Sequence, residues 1–558
     1  MKGEPILCTR FSRADLSLSL SRRSLLARTT GAAFASPIGG LSIPARASAD
    51  PADASSTLTI ASNWPVIDMD PQSIYEGGSA QAMAGVFEGL IKLRPGTPSE
   101  FVPSLAESWE SNSDKSVWTF QLRPHLRFHD GTPLDAAAVR ASFDRLFTLS
   151  LPPSSVLGRF LQSAEQIHER DGRTIVFDLG RPQPMFESAM AAPFGTAIVN
   201  AALAKSHEID GDWGHAWAAT DSTGLGTGPY QATRSEAGDS TELTRFDDYW
   251  GGWDGAHFNH VVLRAVGDPQ TRRELIERGD ADIIFNVPLI SIADLEQNPD
   301  VVVMHQADLR VQYFAMTIAG PLVDVLVRKA LCWAFPYEEV LSGVLLNYAK
   351  PARGPVNENC RGFSSTAFTY FTDLDRARQL LDEAGLHEQL TLSVAIANGN
   401  AENQAIAELF QANLEQIGVE LEIENLDIAS YVGMAFGDLP AEERVSFFPA
   451  SWGPDYDDAY NHLWPAVSCD AWNSGNAGHY CNLRVEELLE EARNAADEAS
   501  YDKALEEIQR ILSDDDPAAI YFAQPEWITV LRSDIGGYVM NPIVSSLFDY
   551  YALHRVPS

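Results

Sequence analysis

The chain has 558 residues, too many for one compact core, so two or three domains are expected. With 45% hydrophobic and 21% charged residues, it has the balance of an ordinary globular protein. A formal net charge of -37 makes nucleic acid and anionic membrane poor partners and predicts a well-solvated surface.

The N-terminus reads as a processing segment. Ser21-Arg22-Arg23-Ser24-Leu25-Leu26 is a twin-arginine pattern, and a weakly apolar stretch follows to Ile43. Ala47-Ser48-Ala49 offers a small-residue cleavage site, so 1–49 is expected to be removed and the mature chain to begin at Asp50. No cysteine stands at the cleavage point to carry a lipid. No later stretch is long and apolar enough to span a bilayer, so a soluble, exported, periplasmic protein is expected. Cys332, Cys360, Cys469 and Cys481 remain after processing, an even number for an oxidising compartment. Cys469 and Cys481 bracket a loop with Gly475, Asn476 and Gly478 and are the expected disulfide. Cys332 lies in an apolar helix, either as a buried thiol or as a partner for Cys360.

Thr57 to Ala61 is the first expected strand, and Ser79 to Leu90 an expected helix with Met83, Val86, Phe87 and Leu90 on one face. Val117 to Arg123 alternates as a strand, Asp130-Gly131 makes a tight turn, and Asp135 caps a helix with Val139, Phe143 and Leu146 inward. Leu322 to Phe335 is apolar nearly all round and reads as a buried helix. Leu392–Ile396, Asn403–Ile417 and Val419–Ile423 form a strand–helix–strand unit, which implies a parallel α/β sheet. Val445 to Pro449 reads as a buried strand, and Pro517 to Phe522 as another.

Three ordered stretches carry a resemblance. They are Pro103-Ser104-Leu105-Ala106-Glu107-Ser108-Trp109-Glu110, then Trp118-Thr119-Phe120-Gln121-Leu122-Arg123, then Phe128-His129-Asp130-Gly131. Gly226-Thr227-Gly228-Pro229-Tyr230 and Tyr249-Trp250-Gly251-Gly252 continue it. Together they resemble the extracellular solute-binding proteins of ABC importers, in the peptide, nickel and opine group. That resemblance implies an α/β, two-lobed periplasmic binding protein of type II, large cluster C, with an extra subdomain. Lobe I would comprise 50–95, 220–305 and 525–558, the inserted subdomain 96–219, and lobe II 306–524. Crossing segments near Leu309–Met316 and Phe522–Ile528 would form the hinge. It also implies no catalysis, no cofactor, a membrane permease as partner, and a monomer.

The expected site is the stretch Ser451 to Pro465. Gly453-Pro454 breaks the chain into a loop, and Asp455, Asp457 and Asp458 sit among Trp452, Tyr456, Tyr460 and Trp464. Aromatic walls around a fixed negative charge suit a ligand with a cationic group; the plain alternative is an acidic surface loop beside core aromatics. In peptide-binding relatives a W-x-x-D segment supplies the aspartate for the ligand's α-ammonium, and Trp452-Gly453-Pro454-Asp455 fits that spacing. Asp457 and Asp458 are the competing candidates, and both, lying further along, are expected to face solvent or cap the following turn. Arg353 and Arg361 are candidates for a ligand carboxylate. Trp64, Trp452 and Trp472 would stack a sugar if the ligand is an oligosaccharide, and would otherwise be packing residues.

Enzyme signatures are sparse. Ser500-Tyr501-Asp502-Lys503 fits S-x-x-K, but it lies in a charged amphipathic helix without its companion motifs and reads as a chance match. An exported hydrolase, which would need a clustered nucleophile and base, is the rival of another class. A periplasmic chaperone or sensor on the same fold is the third reading. His257, His260 and Asp254 are the nearest approach to a metal cluster and read as structural, as does His129.

Overall fold

The strand Ala519–Arg532 runs through both halves of the main sheet. Its residues 519–523 pair antiparallel with Val311–Met316, and its residues 526–532 pair with Val301–Ala307. Pro525, which has no N–H to give a ladder, stands at the changeover and lies opposite Ala349. The structure is a computed structural model and describes residues 56–236, 238–386, 390–472, 475–495 and 497–556. The expected signal segment, with Arg22-Arg23 and Ala47-Ser48-Ala49, lies outside the described residues.

In the first half, Thr57–Ser62 pairs in parallel with His260–Ala265 and with Ile283–Phe285. Ile283–Phe285 pairs antiparallel with the crossing strand. In the second half, Leu390–Ala397 and Val419–Leu426 are parallel, joined by the helix Ala401–Glu415, as the strand–helix–strand pattern predicts. Phe447–Trp452 lies between that pair and Val311–Met316. Each half has its own core: Leu58, Ile60, Val261 and Phe285 in the first, Phe314, Phe335, Phe410 and Phe447 in the second. This is a two-lobed α/β protein.

A separate antiparallel sheet is formed by Ala106–Ser111, Val117–Leu122, Thr174–Asp178 and Ile167–Asp171. Alternation along Val117–Leu122 buries Trp118, Phe120 and Leu122 on one face. The helix Ala136–Leu149 covers it. The Asp135 side chain accepts the Ala138 N–H at 3.0 Å, and Val139, Phe143 and Leu146 are buried, as expected. Gly131 takes φ +83°, the left-handed turn that Asp130-Gly131 predicts. One hydrophobic cluster continues from Phe120, Phe143 and Phe177 to Tyr456, Leu463 and Leu505. Each such large side chain contributes about 1.5–3 kcal/mol on burial, so this small sheet is packed firmly against the second half.

Three expectations are corrected, and one left open is decided. The first helix is Gly77–Met83 rather than 79–90: at Gly85 the chain turns against Tyr550, whose ring would lie 2.6 Å from any Cβ. Trp452 belongs to the strand Phe447–Trp452, not to the loop, because its backbone still pairs with Val311. The stretch from Ala459 to Val467 is a helix that holds Tyr460, Trp464 and Pro465, so the loop is only 453–458. Cys332 and Cys360 are free, buried thiols: they sit in two different hydrophobic clusters and are not paired. Cys469 and Cys481 are joined by a disulfide.

Candidate functional site

The strand Phe447–Trp452 is buried on both sides along Phe447 and Phe448, and Gly453-Pro454 ends it where the two halves meet. A Cβ at Gly453 would lie 3.0 Å from Arg310 Cγ, a tight approach. Asp455 is the first carboxylate past the break and is 6% exposed. Its Oδ1 accepts the Tyr75 hydroxyl at 2.7 Å, and its Oδ2 accepts a long bond from Asn461 Nδ2 at 3.4 Å. Its own N–H donates to Asn461 Oδ1. Tyr75 comes from the first half, immediately before the helix Gly77–Met83. The Asp455–Tyr75 bond therefore spans the junction between halves. Burial pushes the Asp455 carboxyl above its ordinary range; the Tyr75 hydroxyl, the Arg159 charge and Asn461 offset only part of that.

The two neighbouring aspartates have other partners. Asp457 Oδ1 accepts the Arg361 backbone N–H at 2.8 Å, and burial raises its pKa. Asp458 is fully buried and caps the following helix, accepting the Tyr460 N–H at 2.8 Å. It also accepts the Tyr501 hydroxyl and Arg361 Nη1, the latter at 2.8 Å. Burial raises it to about 6 against the pull of those partners. Arg361 is thus committed to Asp458 and, at 2.8 Å, to Glu498. Arg353 is exposed.

The aromatic candidates separate into four places. Tyr456 is buried with its ring 6.0 Å from Phe160, and Trp464 lies under the Arg159 guanidinium at 4.5 Å. Trp452 packs near Val311 and Tyr313, and its indole Nε1 is buried without a partner. Trp64 stacks on Trp527 at 5.8 Å in the first half. Trp472 stands apart on the disulfide loop: it stacks on His479 at 4.9 Å, donates to the Tyr480 carbonyl and is 38% exposed. Geometry therefore gathers Asp455, Tyr456 and Asp457 and leaves Trp64 and Trp472 elsewhere.

A cavity of about 730 Å³ lies beside Tyr456 and Asp457 and is lined also by Arg159, Phe160, Met185 and Trp464; Asp455 is not on its lining. That is a size for a small organic ligand or a short peptide. Tyr75, Arg159 and Asn461 were not selected from the sequence. Tyr75 and Asp455 are 380 positions apart, and no motif surrounds Gly158-Arg159-Phe160.

His257 bonds the Tyr551 and Asp254 carbonyls, and His129 bonds the Gly228 carbonyl at 2.9 Å. Among the described residues no group of three or more His, Cys, Asp and Glu is placed to hold a metal ion. Ser500 lies in the first turn of Glu498–Arg510, its N–H bound to Asp497.

Comparison with known proteins gives a consistent picture. The chain is 28% identical over 453 residues to an Escherichia coli (strain K12) protein named "Probable D,D-dipeptide-binding periplasmic protein DdpA", covering 81% of this chain and 84% of that one. The fold matches the periplasmic binding protein DppA of Helicobacter pylori, solved with the peptide STSA, at TM-score 0.78 and 22% identity, covering 90% of this chain and 98% of that one. It matches NikZ of Campylobacter jejuni, solved with Ni(L-His), at TM-score 0.77 and 19% identity, covering 90% and 100%. The family model described as "Bacterial extracellular solute-binding proteins, family 5 Middle" matches residues 100–474, and the chain belongs to that family of solute-binding receptors.

Proposed function

We propose that this receptor captures a short peptide between its lobes and hands it to the membrane permease of an ABC importer. The observation that carries the reading is Asp455, a carboxylate buried at the junction of the halves with no cation in direct contact among the described residues. A peptide's ammonium is present whatever its side chains, so one charge-assisted bond to Asp455 would fix register without reading sequence. The name of DdpA supports a peptide ligand. In this reading Asp457 and Tyr456 line the site beside Asp455, Trp452 forms a wall, and Trp64 and Trp472 are packing residues. The lobes follow 50–95, 220–305 and 525–558 against 306–524, with 96–219 as the inserted subdomain, and close about the crossing strands. The protein acts as a monomer without bond chemistry.

A thermal-shift screen of the chain from Asp50 onward tests the class. At a hundred times its Kd a ligand stabilises by about 2.7 kcal/mol. Short peptides should raise the melting temperature; a shift confined to sugars, opines or chelated nickel contradicts the proposal. Export follows the twin-arginine route in this reading, so Arg22→Lys with Arg23→Lys should leave unprocessed precursor in the cytoplasm. Normal processing of that double variant removes the route from the account.

A further inference from the structure

Tyr75 and Asp455 stand 380 positions apart, one in each half, and the Tyr75 hydroxyl donates to Asp455 Oδ1 at 2.7 Å. The bond can be made only with the two halves together. Packing accounts for the ring: it lies 5.0 Å from the Phe194 ring and against the cluster that includes Tyr456 and Leu463. A phenylalanine would pack the same way, so the hydroxyl is the part that calls for a cause. Burial and then the Asp455 charge push its pKa up, against a smaller pull from Arg159 and Ser155, so it stays a donor at working pH.

Both ends of the bond are held. In the first half, the Ser73 and Ile74 N–H groups donate to the Asp70 carbonyl at 3.0 and 3.2 Å. Glu76 caps the helix Gly77–Met83, accepting the Gly78 and Ser79 N–H groups at 2.6 and 2.7 Å. Tyr75 is thus presented by a turn that is fixed on either side. In the second half, Asp455 is set by Asn461, which is fully buried in the first turn of the helix Ala459–Val467.

The acceptor is the carboxylate that the peptide reading gives to the ligand's ammonium, and it has room for both donors. Each carboxylate oxygen offers two lone pairs. Tyr75 uses one on Oδ1, and Asn461 reaches Oδ2 at a long 3.4 Å. Burial without a cation favours the neutral carboxyl, and an adjacent ammonium favours the ionised one. A hydrogen bond to an ionised acceptor is about twice as strong as one between neutral groups.

We infer that Tyr75 is a latch that reads occupancy: from the first half it donates to the same carboxylate that the ligand's ammonium charges, so the bond between the halves strengthens when ligand is aboard. This rests on the peptide reading above and adds to it a residue that acts through Asp455 on release. By linkage, what the ligand does for the latch the latch does for the ligand's affinity.

The test is stopped-flow binding and calorimetry of L-alanyl-L-phenylalanine on the chain from Asp50 onward. Tyr75→Phe keeps the ring and removes only the hydroxyl. It should raise the dissociation rate about ten-fold and leave the association rate within about two-fold. The urea midpoint of the empty variant should stay near that of wild type, which controls for folding. In an Asp455→Asn background, Tyr75→Phe should weaken affinity by about three-fold or less, because the charge that strengthens the bond is gone. An unchanged dissociation rate in Tyr75→Phe overturns the latch and leaves the peptide reading standing. So does a ten-fold cost retained in Asp455→Asn, or tighter binding by Tyr75→Phe, which would make the hydroxyl a competitor of the ligand. If wild type binds no peptide, both fall.

Discussion

Asp70 in the first half and Asp455 at the junction are both buried carboxylates, 0% and 6% exposed, yet only Asp70 touches cations. Asp70 takes both arms of Arg145, at 3.0 and 2.6 Å, with His215 Nδ1 at 3.0 Å and the Gln72 N–H at 3.1 Å. Burial alone would raise its pKa, but His215, Arg145 and Gln72 outweigh it and hold the carboxyl below its ordinary range. Asp455 has a hydroxyl and one long amide bond, and burial wins. The first arrangement holds helix Ala136–Leu149 to the loop before Gly77. The second leaves a negative charge short of a partner where the two halves close. A ligand ammonium would supply what Arg145 supplies to Asp70.

The comparison breaks most visibly at Arg145. Arg145→Ala leaves Asp70 buried and uncompensated, and should cost about 3–5 kcal/mol in urea unfolding. Asp455→Asn removes a charge with no direct counter-ion, so the empty protein should hold or gain stability. A loss in Asp455→Asn comparable to Arg145→Ala would erase the distinction. The disulfide offers a structural reference of similar size. Cys469 and Cys481 are 12 positions apart, and replacing both with Ser should cost about 3 kcal/mol in the loop-entropy model, with no change in peptide affinity. Equal unfolding midpoints for variant and wild type would contradict it.

Acid behaviour sharpens the contrast further. Asp458 is raised from 3.8 to about 6, so across that window the folded chain holds a proton the unfolded chain has lost. Stability from this group therefore falls as pH rises from the ordinary carboxylate value to about 6, and is flat above. Asp455 and Asp457 act in the same direction. Asp70 acts oppositely: its contribution is complete above the ordinary carboxylate value and is lost as pH falls through its lowered pKa. Urea unfolding at a series of pH values should show a shallower slope between pH 4 and 6 in Asp458→Asn than in wild type. An unchanged slope counts against the raised carboxyl. The smallest expected effect is at Trp472: Trp472→Ala should leave peptide affinity unchanged and shift stability by about 0.5 kcal/mol or less beyond its local stacking. A large affinity loss would bring the disulfide loop into the site.

Local signals in the sequence were readable where a few neighbouring residues decide the outcome. The Asp135 cap, the Asp130-Gly131 turn and the 390–426 strand–helix–strand unit all follow from spacing and capping chemistry. Asp455 was legible as a carboxylate just past a Gly-Pro break. Its partners were not, because Tyr75 and Arg159 reach it only when distant segments close together. Trp452 was misplaced into the loop because strand pairing with Val311 carries it one turn of pleat beyond the apolar run. Pro465 sits inside the helix Ala459–Val467, whose N-terminus Asp458 caps.

The central claim is that Asp455 holds the ligand's ammonium. Calorimetry of L-alanyl-L-phenylalanine and its N-acetyl form on wild type and Asp455→Asn measures it most directly. The account predicts that acetylation costs wild type on the order of 2–5 kcal/mol, that Asp455→Asn loses the same for the free peptide, and that the variant no longer separates the two. Full discrimination retained in Asp455→Asn would contradict it.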